Sequence, residues 1–111
     1  MRMGGDQEVE LARFVAVCRV DEVAEGRGKP VEVDGLRVAV FNDGGNFHAL
    51  LGRCPHANGS IGLGWIEEGE AVCPLHRWQF RLDTGRCTTV RGQSVHRFRC
   101  EVRGDEVWVE V

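Results

Sequence analysis

Cys54-Pro55-His56 and, sixteen residues further on, Cys73-Pro74-Leu75-His76 form the stretch around which the rest of the chain is organised. It consists of two short clips, C-x-H and C-x2-H, each offering one soft thiolate and one imidazole. A zinc site built from two Cys and two His usually takes both thiolates from one clip and both imidazoles from the other. Here each clip is mixed, so a zinc-stabilised interaction module is the competing reading that ligand order disfavours. Core packing is a poorer account still. Both His stand in Gly- and Pro-rich loop sequence, where side chains are seldom buried.

Mixed clips suit a centre of two metals, with one iron held by two thiolates and the other by two imidazoles. The spacing resembles the fingerprint of the Rieske iron–sulfur family: C-x-H, sixteen or seventeen residues, C-x2-H. The Pro after each Cys and the Trp78-Gln79-Phe80 that follows the second clip fit that family too. The resemblance implies a [2Fe–2S] cofactor with Cys54, His56, Cys73 and His76 as its cofactor- and metal-binding residues. No acid–base pair or nucleophile accompanies the motif, so an electron-transfer protein is expected rather than an enzyme. The two His are expected to be the solvent-facing ligands.

Outward from the clips, the sequence reads as strands. Phe14 to Val20 is apolar and β-branched, and Asp21 to Ala24 suggests a single helical turn. Pro30-Val31-Glu32-Val33, Asp34-Gly35 and Leu36 to Phe41 form a hairpin, since Asp-Gly tolerates the positive φ of both turn positions. Asn42 to Asn46 makes a looser turn into Phe47 to Leu51. Ala71-Val72-Cys73 is a short strand delivering the second clip, and Trp78 to Leu82 is its return. In Val95 to Arg103, Phe98, Cys100 and Val102 alternate with charged residues, the pattern of a half-buried strand. Val107 to Val111 is the last strand. The fold class expected is all-β: a small antiparallel sandwich or barrel of the Rieske type, with an inserted cluster-binding subdomain. One domain is expected over 1–111, its basal sheet at about 12–52 and 83–111 and its cluster-binding subdomain at about 53–82. Gly59, Gly62, Gly64 and Gly69 are expected to let backbone approach the cluster, and Ile61, Leu63, Trp65 and Ile66 to shield it.

The 111 residues carry a net charge of −3, with 42% hydrophobic and 28% charged residues. The absence of a basic surplus argues against nucleic acid as a partner. No apolar run approaches the ~20 residues of a membrane span. Residues 1–11 are polar and are expected to fray at the start, and Met1 to Glu10 contains no apolar core of a secretory signal. A cytoplasmic location and no membrane partner are therefore expected. Of five Cys, the three outside the clips, Cys18, Cys87 and Cys100, are expected to be small buried apolar groups rather than disulfide partners. His48 and His96 lie in strand sequence with no clip spacing and are expected to be structural. Glu67, Glu68 and Glu70 form an acidic run that is either a solvated face or a docking patch. Arg53 and Arg77 flank the clips and could serve docking or offset cluster charge.

At 111 residues the chain is not expected to carry the mononuclear iron domain of oxygenase large subunits. The positions where respiratory relatives carry a disulfide between the ligand loops are here Gly59 and Leu75. The chain looks like the soluble Rieske ferredoxins, which implies a flavoprotein reductase as electron donor and an oxygenase as acceptor. It also looks like the small subunit of assimilatory NAD(P)H nitrite reductases, whose catalytic subunit would then be the acceptor. High-potential relatives place a Ser two residues and a Tyr four residues after the last His ligand. Trp78 and Phe80 stand there instead, which implies a potential at the low end of the family's range. The Pro-containing loop of many members is matched by Thr88-Thr89-Val90-Arg91-Gly92, which has no Pro.

Overall fold

The computed structural model describes residues 13–111, so the reading of 1–11 lies outside the described residues. Ten strands follow in order: β1 (Phe14–Arg19), β2 (Gly28–Val33), β3 (Leu36–Asp43), β4 (Asn46–Leu51), β5 (Trp65–Glu67), β6 (Glu70–Val72), β7 (Gln79–Arg81), β8 (Arg97–Phe98), β9 (Cys100–Arg103) and β10 (Glu106–Glu110). They form three antiparallel sheets, ordered β1-β10-β9, β2-β3-β4-β8 and β5-β6-β7. The all-β expectation holds. Among the described residues no helix is long and apolar enough to cross a membrane.

The meander β2-β3-β4 forms as its turns dictate. Asp34 and Gly35 adopt φ of 51° and 80°, and the strands pair from Val33↔Leu36 outward. The second turn is tighter than its sequence suggests. Gly44 and Gly45 alone make it, at φ 61° and 99°, and Asp43 pairs directly with Asn46. The expected helical turn is a 3-10 turn at Val20–Glu22, one residue earlier than read and closed by the Glu22 carboxylate accepting the Arg19 N–H.

Strand β3 is central in a stronger sense than its alternation implies. Val38, Ala39, Val40 and Phe41 are all fully buried. Ala39 and Phe41 face one apolar cluster, which also contains Cys54 and Cys73. Val38 and Val40 face a second, with Phe98, Val107 and Val109. A strand covered on both faces reads as a continuous apolar run. β3 thus forms the wall between the core of the strand base and the core beneath the two clips.

The segment expected as one strand over Val95–Arg103 is two. Arg97–Phe98 pairs with β4, the chain breaks at Arg99, and Cys100–Arg103 pairs with β10. This break carries the chain from one sheet to the other, and β9 becomes the edge strand of its sheet, where Val102 is 45% exposed although the alternation placed it inside. β5 and the 3-10 turn at Ile61–Leu63 were not legible as elements, because Gly62 and Gly64 interrupt any period there.

Candidate metal centre

Each clip lies in a loop closed in the same way. The Cys54 N–H donates to the Gly59 carbonyl at 2.9 Å, and the Cys73 N–H donates to the Trp78 carbonyl at 2.8 Å. In both, the bond runs from the Cys to the fifth residue after it. In both, the fourth residue after the Cys is left-handed: Asn58 at φ 58° and Arg77 at φ 59°. The second loop adds His76 itself at φ 68°. Left-handed backbone at a residue other than Gly costs about 1–3 kcal/mol and persists where the surroundings enforce it, often at functional sites.

The four residues named from the sequence come together. Cys54 and Cys73 are buried, in the same apolar cluster as Phe80, Ile61 and Cys87. The imidazoles lie outward of them. His56 Nδ1 is 3.7 Å from Cys54 Sγ, and His56 Nε2 is 2.5 Å from His76 Nδ1. Burial pushes the Cys54 thiol up, a backbone hydrogen bond from His56 opposes this, and the nearby Cys73 and Cys87 thiols push it further up. Binding iron therefore requires this thiol to give up its proton to the metal's field.

A thiol pair inside and an imidazole pair outside is the donor set that a two-iron cluster needs, with two protein ligands on each iron. A single tetrahedral ion needs four donors on one point. Among the described residues no three His, Cys, Asp or Glu side chains are arranged around one such point. The backbone leaves room as well. A Cβ on Gly59 would lie 2.9 Å from Cys73 Sγ and 3.0 Å from the Leu75 Cβ. The other glycines of this stretch do different work. Gly62 lies against the Pro30 backbone, Gly64 against the Val72 carbonyl, and Gly69 turns β5 into β6 at φ 79°. Of the four expected to admit the cluster, only Gly59 borders a clip sulfur.

The family-model comparison matches the Rieske [2Fe-2S] domain over residues 13–101. The chain belongs to the Rieske family. Its cofactor is the Rieske-type [2Fe–2S] cluster, and it is an electron carrier. The ferredoxin subunit of 3-phenylpropionate/cinnamic acid dioxygenase from Escherichia coli strain K12 is 30% identical over 99 residues, 87% of this chain and 92% of that protein. Human apoptosis-inducing factor 3 is 33% identical over 95 residues, but this chain spans only 16% of its length. Among solved structures, the ferredoxin of carbazole 1,9a-dioxygenase from Nocardioides aromaticivorans IC177 superposes with a TM-score of 0.78 at 31% identity, over 86% of this chain and 95% of that one. A Mycobacterium tuberculosis protein assigned as the small subunit of an NADH-dependent nitrite reductase superposes at 0.83, with 24% identity over 92% and 97% of the two chains. That likeness bears on the Rieske fold alone.

Within this Rieske domain, several side chains differ from their sequence reading. His76 is exposed, but His56 is half-buried, with the Trp78 ring stacked on it at 4.5 Å and 18°. Sequence spacing could not show that contact, because Trp78 belongs to the other clip's loop. Leu63, expected as a shield, is 62% exposed, whereas Ile61 is fully buried. The acidic run is largely engaged at home. Glu67 accepts from the Trp65 indole N–H at 2.8 Å and from Arg77 at 3.3 Å. Glu70 accepts from Thr88 and Gln79. Arg77 also lies 5.4 Å over the Trp65 ring. The loop without Pro is held by threonines: Thr89 Oγ1 accepts the Gln79 N–H at 2.9 Å, and the Thr88 N–H donates to the Gln79 carbonyl at 2.9 Å. His48 pairs with Phe41 across β3 and β4, and His96 meets Phe98 edge-on at 4.6 Å. Cys87 is buried, and Cys18 and Cys100 are half-buried.

Proposed function

We propose that Cys54, His56, Cys73 and His76 hold the [2Fe–2S] cluster, and that the chain is the ferredoxin component of an oxygenase system. It takes single electrons from an NAD(P)H-linked flavoprotein reductase and delivers them to a terminal oxygenase, in the cytoplasm and without turnover of its own. The observation that carries this is the 30% identity to a dioxygenase ferredoxin subunit across 92% of that subunit. The nitrite reductase small subunit is the alternative; the fold likeness to one such protein favours it.

The cluster, when bound, supplies one-electron exchange at a centre made less negative by two neutral imidazoles. The protein does the rest. Residues 53–82 carry the ligands, and the strands of 13–52 and 83–111 form their base. Buried Cys54 and Cys73 keep water from the thiolate side, with Phe80 and Ile61 packed beside them. The left-handed backbone at His76 and Arg77 turns the second clip sharply, leaving His76 at the surface where a partner can approach.

Replacing His76 by Ala tests the ligand set. The native electron paramagnetic resonance spectrum of the reduced protein should be abolished, and an unchanged spectrum would remove His76 from the set. Reduction of the wild-type carrier by a flavoprotein reductase with NAD(P)H, followed by oxidation by a Rieske oxygenase, tests the pathway. A carrier that exchanges electrons only with a nitrite reductase decides for the alternative.

A further inference from the structure

The two imidazoles of the site do not meet solvent equally: His56 is half-buried and His76 is exposed. Trp78 is tied to the second clip through its backbone, whose carbonyl accepts the Cys73 N–H at 2.8 Å. Its side chain crosses to the first clip and stacks on His56 at 4.5 Å with 18° between the rings. Trp78 also packs against the apolar cluster containing Cys54 and Cys73, with the Phe80 ring centroid 6.5 Å away. His56 is thus held between its own loop and an aromatic plate. His76 meets it at 4.6 Å and 59° but is itself exposed. An indole is a large, stiff apolar plate with two side-chain torsions, so it holds a neighbouring ring in place better than a flexible chain would.

We propose that Trp78 makes the centre one-sided: it covers and orients His56, so that His76 is the ligand through which partners receive the electron. The inference rests on the four-ligand reading above. Trp78 is a positioning residue here. It keeps water off one imidazole, and the apolar shell around such a centre governs solvent access and thereby potential. Water reaching His56 would stabilise the reduced, more negative state, so uncovering His56 raises the midpoint potential.

The test uses the cluster-loaded protein and diethyl pyrocarbonate, which acylates accessible imidazole nitrogens, with the modified histidines located by peptide mass spectrometry. His76 should react several-fold faster than His56, with exposed His96 as a reference for free reactivity. Trp78→Ala should bring His56 up to the rate of His76 and raise the midpoint potential. Trp78→Phe, which keeps an aromatic plate, should preserve both the protection and the potential. Equal acylation of His56 and His76 in the wild-type protein with its cluster intact overturns this inference alone, and needs no variant to fold. A loaded Trp78→Ala protein with His56 still protected and the potential unchanged also overturns it. A preparation lacking iron, sulfide and the Rieske resonance overturns the four-ligand reading and this inference with it.

Discussion

Gly59 shows how much a single missing methyl group matters at this site. A Cβ there would sit 2.9 Å from Cys73 Sγ and 3.0 Å from the Leu75 Cβ, inside ordinary contact distance of both. Gly59→Ala should therefore push the two clips apart and lower iron and sulfide bound per chain, read by metal analysis and visible absorption. Full occupancy in that variant would show that the loops have slack. Phe80 makes the complementary point. It is fully buried beside the clip cysteines and has no donor to give a sulfur. Donors to cluster sulfurs stabilise the reduced state, because charge-assisted hydrogen bonds strengthen as negative charge accumulates. The midpoint potential should therefore lie near the low end of the family's range of roughly −150 to +300 mV. Phe80→Tyr should raise it, as protein-film voltammetry would show. The four clip residues were legible in the sequence because ligand type and spacing are local. The Trp78–His56 stack was not, because it joins two loops across twenty-one intervening residues.

At the scale of elements, the loop over 88–92 is held without the Pro that many relatives have. Its anchors are the Thr89 hydroxyl on the Gln79 N–H and the Thr88 hydroxyl on the Glu70 carboxylate. Thr89→Val keeps shape and removes the acceptor. It should cost about 1 kcal/mol, the net worth of a typical hydrogen bond, and more if the Gln79 N–H is left dry. A thermal melt of the loaded protein reads this; an unchanged melting temperature would mean that the Thr89 contact carries no stability. Hairpin turns at 34–35 and 44–45 were open to sequence reading, since Asp-Gly and Gly-Gly announce positive φ. The break at Arg99 was not. An alternating pattern says which face is buried but not which sheet a strand joins, and there the two halves join different sheets.

For the whole molecule, the strand base carries a pH dependence of its own, away from the cluster. Burial pushes the Cys100 thiol from 9.0 up to about 11, with Cys18 nearby adding to the shift, and burial also raises Cys18. The folded state holds these protons more tightly than the unfolded chain does. Their contribution to stability is therefore complete below the ordinary thiol pKa and is lost as pH rises through the folded value. Urea melts of the loaded protein should show stability falling between about pH 9 and about pH 11, and Cys18→Ala/Cys100→Ala should shrink that fall. An identical fall in the double variant would place its origin in other groups.

The sequence by itself determined the cofactor class, the all-β class and the main hairpins, and it singled out the four residues proposed to hold the cofactor. Each of these rests on residues close together in the chain: a clip of three or four residues, a turn of two, a strand of alternating faces. The tertiary structure decided what depends on residues far apart. It buried β3 on both faces, because sheet and clip core close over it from opposite sides. It reserved Gly59 alone, among the glycines expected to admit the cluster, for the clip sulfurs. It also placed one indole over one of two imidazoles that the sequence presents as equivalent, since only packing between the loops can make two like ligands unequal.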